Sequence, residues 1–330
     1  MRSVHLSWRL ASAIGPIAAA MLVACGQVWA QAFPTKPITV FTHSGAGGLA
    51  DVMARVVADE ATKHLGQPVI VANRPGASGK IAVHAMLNAP RDGHAIYTVT
   101  PQAVAINPLV DPQIGYDPVK DILPLTLAIR TPLVVVVHPS VPARSMRELV
   151  GYVRANPEKL AYGSFGIGST SHLWTEEFLS TLNLSIRHIP YKTEAFADLV
   201  SGRIQFLIAS GASKPHVDAG KLVALATSGK QRWDFYPDLP TYAETGVEEL
   251  KNYSYSPWLG FGAASDIPEH AASKLREALV KALHAPGVKS ALARYGVEIV
   301  GSATDEFGAL IKAELERNRA VLASGRVKLE

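Results

Sequence analysis

Two short stretches hold the residues from which chemistry could be built. The first, ITVFTHSGAGGLADVMARVVADE, reads as a strand, a glycine-rich turn and a helix, with His43, Ser44, Gly47 and Gly48 in the turn. Its Gly45-Ala46-Gly47-Gly48-Leu49-Ala50 satisfies G-x-G-x-x-G/A, the turn that seats a pyrophosphate on backbone amides. The second, YGSFGIGSTSHLWTEEF, runs through Ser164, Phe165, Gly168, Ser169 and Thr170 and enters a helix near Ser171, with His172 in the first turn. Each loop presents backbone N–H groups at a helix N-terminus, where the macrodipole adds about half a positive charge. Small residues let an anion come close, and the hydroxyls of Ser164, Ser169 and Thr170 add donors. Two such ends facing each other across a cleft would grip a carboxylate, or one carboxylate each, without an arginine. Either loop alone is equally well an ordinary strand-to-helix turn; the pair points to a ligand cleft.

Other chemistries fit less well. A dinucleotide fold uses an acid at the end of its second strand to hold the ribose. Here that strand ends Val71-Ala72-Asn73-Arg74, and only Arg74, as a partner for a 2′-phosphate, speaks for NADP. There is no G-x-S-x-G elbow, no H-E-x-x-H and no cluster of His, Asp or Glu at metal spacing. Ser169 and His172, three apart at a helix start, read as a cap. His43 could donate to an anionic ligand, against the commoner role of a lone histidine with an ordinary hydrogen bond. No catalytic residue, metal or cofactor is assigned from these residues.

These loops need strands and helices to position them. Strand-like runs lie at 38–41, 69–72, 95–99, 133–137, 160–162, 186–189, 204–208 and 222–226, with helical patterns at 51–64, 145–155, 171–182 and 193–201. Such alternation argues for an α/β fold with mostly parallel sheets flanked by helices. The run at 133–137 and the strand-like 254–263 read as crossovers. They divide the chain into a first domain of 33–132 and 255–330 and a second of 133–254. Ile267-Pro268-Glu269 and Thr304-Asp305-Glu306 read as helix starts, the latter with a capping hydroxyl and acids in the first turn. Phe307, Leu310, Ile311 and Leu315 then form an apolar stripe read as core.

The 330 residues suffice for two domains, and 48% hydrophobic against 18% charged is an ordinary globular balance. Residues 1–32 read as a secretory signal peptide, with Arg2 and Arg9 ahead of a short apolar core. Export to the periplasm follows, with cleavage after Ala32. Leu22-Val23-Ala24-Cys25 also resembles a lipobox, which would anchor the protein by a lipid on Cys25, its single cysteine. Without that leader 30 basic residues face 28 acidic ones, a net of +2 too mild to imply nucleic acid.

The order of the stretches QAFPTKPITV, GGLADVMAR, LGQPVIVANRPGASGKIA, AINPLV, YDPVKDILPLTLA, ANPEKLAYGSFGIGSTSHL, HIPYK, AGKLVALATSGKQR, FYPDLPTYAETGV and PWLGFGAASDIP resembles the Bug (Bordetella uptake gene) family across the mature chain. These are TctC-like extracytoplasmic solute receptors of tripartite tricarboxylate transporters. The resemblance implies a two-domain, Venus-flytrap periplasmic-binding-protein fold, a monomer, without catalysis. A small organic mono- or dicarboxylate would sit in the interdomain cleft and be delivered to membrane permease subunits. Its loops map onto His43 to Asp51 and Ser164 to His172, and its Tyr-Lys pair onto Tyr191-Lys192, followed by Thr193 where the family has glycine. Ile208-Ala209-Ser210 replaces the Phe-Asp-Asn of many members, so an acid that could hold a ligand amine is absent. Phe165 could stack on a ligand body or fill the interface. Two other readings stand beside this one: an exported carboxylate sensor signalling to a membrane partner, and an NADP-dependent oxidoreductase, which the leader and the missing ribose acid oppose.

Overall fold

The computed structural model describes residues 33–191 and 195–329. The signal-peptide reading, both cleavage sites and Cys25 lie outside the described residues, as do Lys192 and Thr193. Among the described residues no helix is long and apolar enough to cross a membrane.

The first half of the chain alternates β1 (Ile38–Thr42), α1 (Leu49–Leu65), β2 (Val69–Asn73), α2 (Lys80–Leu87) and β3 (Ala95–Val99). A π-helical turn, Gln102–Ile106, then leads into α3 (Asn107–Val110) and β4 (Ile122–Arg130). The second half opens with β5 (Val134–Val137), α4 (Met146–Ala155), β6 (Ala161–Ser164) and α5 (Thr170–Thr181). It continues through β7 (Arg187–Pro190), α6 (Phe196–Val200), β8 (Phe206–Ala209), α7 (Lys214–Asp218) and β9 (Val223–Thr227). The chain closes with β10 (Trp258–Ala264), α8 (Glu269–His284), α9 (Pro286–Ala293), β11 (Glu298–Ile299) and α10 (Thr304–Ala323).

Two sheets result, one per domain. The first has the order β11-β4-β10-β3-β1-β2, the second β7-β6-β8-β5-β9. Both are mixed. β1 runs parallel to β2 and β3, and β6 parallel to β7 and β8. β10 is antiparallel to β3 and β4, and β5 antiparallel to β8 and β9. Two of the antiparallel members, β5 and β10, are the crossing strands and enter their sheets from the other domain, while the short β11 lies antiparallel to β4 at the sheet edge. The parallel part of each sheet is the part that bears the loops.

β4 was not among the expected strands. Pro124 interrupts its apolar pattern, and proline cannot donate to a ladder. It is tolerated because β11 pairs only with Ile129 and Arg130, leaving Pro124 opposite Gly262 with a single strand neighbour. The C-terminal stripe is core as expected: Phe307 and Ile311 are buried, and Leu310 and Leu315 pack against them. The α10 start differs in detail. Ala303 is its N-cap and has no side-chain cap, while the Thr304 hydroxyl donates to Leu125 O at 3.3 Å.

One continuous core fills the first domain, and two clusters cover the faces of the second sheet. A small cluster of Ile106, Leu173 and Val327 joins the π-helical turn, α5 and the C-terminal tail. The tail continues onto the second domain, where Arg326 donates to Leu184 O at 3.1 Å.

Candidate functional site

The turn between β1 and α1 is internally bonded. Asp51, in the first turn of α1, is buried and accepts the Gly47 N–H at 2.9 Å. Its carboxylate also receives Arg55 Nε at 3.0 Å and Asn73 Nδ2 at 2.7 Å, and Asn73 Nδ2 reaches back to Ser44 O at 2.8 Å. Burial pushes the Asp51 pKa up, but the bonds from Arg55, Asn73 and Gly47 outweigh it and hold the group below its ordinary value. The Gly48 N–H is likewise taken, by Gly45 O at 3.2 Å. A Cβ at Gly48 would stand 2.1 Å from Ser44 Oγ, so any larger residue there needs the Ser44 hydroxyl to rotate away. Gly47 and Gly48 therefore shape the turn, and the amides left over at this helix end are those of the first turn from Leu49 onward. Beneath the loop, His43 Nδ1 is buried without a hydrogen-bond partner among the described residues, and burial lowers the imidazole's pKa.

The second loop is stapled more heavily. Ser169 is the N-cap of α5, its Oγ accepting the His172 N–H at 3.3 Å and donating to Gly166 O at 2.7 Å. Ser171 Oγ accepts the Phe165 N–H at 2.9 Å. The Gly168 N–H donates to His172 Nδ1 at 3.2 Å, which places the proton of that ring on Nε2. Ser164 is buried, and its Oγ lies 2.7 Å from His188 Nε2 while accepting the Gly166 N–H at 3.1 Å. That spacing matches a nucleophile–base pair, but the hydroxyl is tied down inside the loop it shapes. The His172 and His188 rings stack at 3.8 Å between centroids. Desolvation, with the neighbouring His188, lowers His172 to about 4, and burial lowers His188 as well. Tyr191 donates its hydroxyl to Asp198 at 2.8 Å, and its ring lies over Gly163, where a Cβ would meet Tyr191 Cε2 at 3.2 Å and Ala195 Cβ at 2.6 Å. Of the expected site residues, Ser164, Gly168, Ser169, His172 and Tyr191 thus build the loop, and only Phe165 stands out from it as an exposed aromatic.

Thr170 crosses the gap between the domains. Its N–H and its hydroxyl both donate to Gln102 Oε1, at 2.9 and 2.7 Å. Gln102 sits on the π-helical turn just beyond β3, and its Nε2 is fixed by Asn107 Oδ1 at 2.8 Å. Asn107 Nδ2 in turn donates to Ser78 O at 2.9 Å. Because β1 and β3 are parallel neighbours, their C-terminal ends open on one edge. Gln102 brings that edge against the start of α5. Sequence reasoning missed Gln102, since a lone amide inside an apolar run carries no motif; its place just past a strand's C-terminal end was the available clue.

Beside this contact lies a recess of about 100 Å³ in the second domain, bounded by Leu133, Phe165, Trp174, Phe196, Leu207 and Ala209 among others. The hydroxyl residues Ser164, Ser171, Thr175 and Ser210 also line it. Among the described residues no group of three His, Cys, Asp or Glu side chains is arranged to hold a metal.

Two sheets, each with parallel strands whose loops meet across an interdomain gap, suit a solute receptor, and comparison with known proteins agrees. The family model described as "Tripartite tricarboxylate transporter family receptor" matches residues 53–325. The chain belongs to this family. Protein BugT of Bordetella pertussis is 32% identical over 326 residues, covering 98% of this chain and 99% of that one. A solved structure of R. palustris Rpa4515 with adipate is 33% identical, covers 88% of this chain and 97% of that one, and has a TM-score of 0.74. MatC from Rhodopseudomonas palustris, solved with bound malate, is 26% identical with a TM-score of 0.71, over 88% of this chain and 99% of that one. Membership makes the chain a solute-binding receptor of extracytoplasmic type. Within a receptor of this family the GAGGLA turn has an explanation other than a nucleotide: Asn73, at the position of the ribose acid, is spent on Asp51 and Ser44.

Proposed function

We propose that this receptor captures a small organic carboxylate between its two domains in the periplasm and delivers it to the membrane permease subunits of a tripartite tricarboxylate-type transporter. The domains are taken as 33–132 with 255–330, and 133–254, moving about the crossovers near 131–133 and 252–257. One observation carries the reading: Gln102 brings the C-terminal edge of the first sheet into hydrogen-bond contact with the start of α5. Loop ends from both domains therefore border one cleft.

The donors available to a carboxylate are the first-turn amides of α1, the polar edge of the second loop and His43 Nδ1, which burial leaves wanting a partner. Family relatives solved with adipate and with malate support carboxylates as the ligand class. The proposed mechanism is capture by closure, with no bond made or broken in the ligand.

The test is a thermal-shift and calorimetric screen of the mature protein, stripped of ligand, against mono-, di- and tricarboxylates, amino acids and NADP. Binding to the native state raises Tm by mass action. A shift with a carboxylate class alone is expected. A shift with NADP alone would overturn the reading.

A further inference from the structure

We infer that the ligand is a monocarboxylate whose uncharged hydrocarbon end fills the recess on the second-domain side of the cleft. This rests on the receptor reading above and narrows its ligand class.

The recess has carbon walls. Leu133, Trp174, Phe196, Leu207 and Ala209 form its sides, and Phe165 stands at its edge with 55% of its surface exposed. A large aromatic left in water beside an apolar hollow is surface that a ligand would cover on binding. The volume of about 100 Å³ is somewhat below the roughly 150 Å³ of cavities that hold a benzene ring. Because the recess is open where the exposed Phe165 stands, a body of roughly four to six carbons fits.

No described lining residue is charged. Its four hydroxyls are neutral: Ser164 Oγ pairs with His188 and Gly166, while Ser171 and Ser210 accept the Phe165 and Ala212 N–H groups and, like Thr175, keep an O–H to donate to a neutral polar substituent. A second carboxylate pushed into this recess would give up its hydration for carbon and hydroxyl groups, without a described cation to offset the loss. A ligand amine fares no better. The nearby Asp198 is engaged by Tyr191 and Arg203, and Ile208-Ala209-Ser210 offers no acid.

The experiment compares matched pairs by titration calorimetry at neutral pH on ligand-free mature protein: benzoate against terephthalate, and hexanoate against adipate. The monocarboxylate of each pair is expected to bind about tenfold or more tightly than its diacid. Phe165→Ala is expected to weaken benzoate and hexanoate roughly three- to tenfold with an unchanged circular dichroism spectrum, because the residue is mostly exposed. Tighter binding of either diacid would overturn the inference while leaving the receptor reading in place. If Lys192→Ala then abolished that preference, the second charge would belong to Lys192 and the hydrocarbon assignment would be wrong. Failure of all four probes to bind would overturn this inference alone, since the receptor reading is decided by the wider screen of mono-, di- and tricarboxylates.

Discussion

Gln102 Oε1 lies 2.9 Å from the Thr170 amide nitrogen and 2.7 Å from its hydroxyl oxygen, so a side chain of the first domain caps a helix of the second. The oxygen meets one N–H of an N-terminal turn, as a serine N-cap would, but from across the cleft. Thr170 therefore bears on how the domains meet as well as on any ligand.

Gln102→Ala is expected to loosen the unliganded molecule. Two hydrogen bonds are lost at one acceptor, costing about 1–2 kcal/mol of interdomain contact. Small-angle scattering should give a larger radius of gyration for the variant without ligand. An unchanged scattering curve would show that the contact does not hold the domains. Thr170→Ser, which keeps both donors, serves as the control.

The first loop depends on Asp51. Asp51→Ala removes the acceptor shared by Gly47, Arg55 and Asn73, leaving the half-exposed Arg55 guanidinium on Asn73 Oδ1 alone. A loss of about 2 kcal/mol in denaturant unfolding is expected. The native carboxyl titrates below its ordinary value, so its contribution to stability is complete above that value. It is lost as pH falls through the lowered one. The acid arm of a stability–pH curve should flatten in Asp51→Asn relative to the parent.

His172 gives a second acid-side dependence. Its folded pKa of about 4 lies below the ordinary 6.5, so the unfolded chain takes up the proton first. Stability is full above about 6.5 and falls as pH drops toward 4. Protonation of Nδ1 would also break the bond from the Gly168 N–H and charge a ring stacked on His188. Tm measured across that window should fall less in His172→Gln than in the parent.

Trp233 Nε1 donates to Gly296 O at 2.6 Å, joining the segment after β9 to the turn between α9 and β11. Trp233→Phe keeps most of the ring and removes the donor. A loss of about 1 kcal/mol in denaturant unfolding is expected, with the secondary structure intact. No loss would show that packing alone makes this tether.

Ser169→Ala should cost about 1 kcal/mol, because its hydroxyl is the N-cap of α5. Calorimetric unfolding of the single variant measures this directly. A variant as stable as the parent would mean that the Gln102 cap alone suffices.

Much of this was legible in the chain itself. Both loops, the α/β class and eight strands announce themselves through local signals: apolar runs, small-residue turns, capping hydroxyls. These need only near neighbours along the chain. β4 escaped because Pro124 breaks its pattern, and only the short reach of β11 makes that proline tolerable. The use of the loop residues was not legible either. Gly47 satisfies Asp51 and Gly168 satisfies His172, while Ser164 is buried against His188. A free helix end and an occupied one have the same sequence; which it is depends on what the fold brings within 3 Å. The Thr170 contact is the clearest case, since its partner lies 68 residues away in the other domain. Residue types and spacing determined the two strand-to-helix loops, and the packing of one domain against the other decided which of their donors are already bonded.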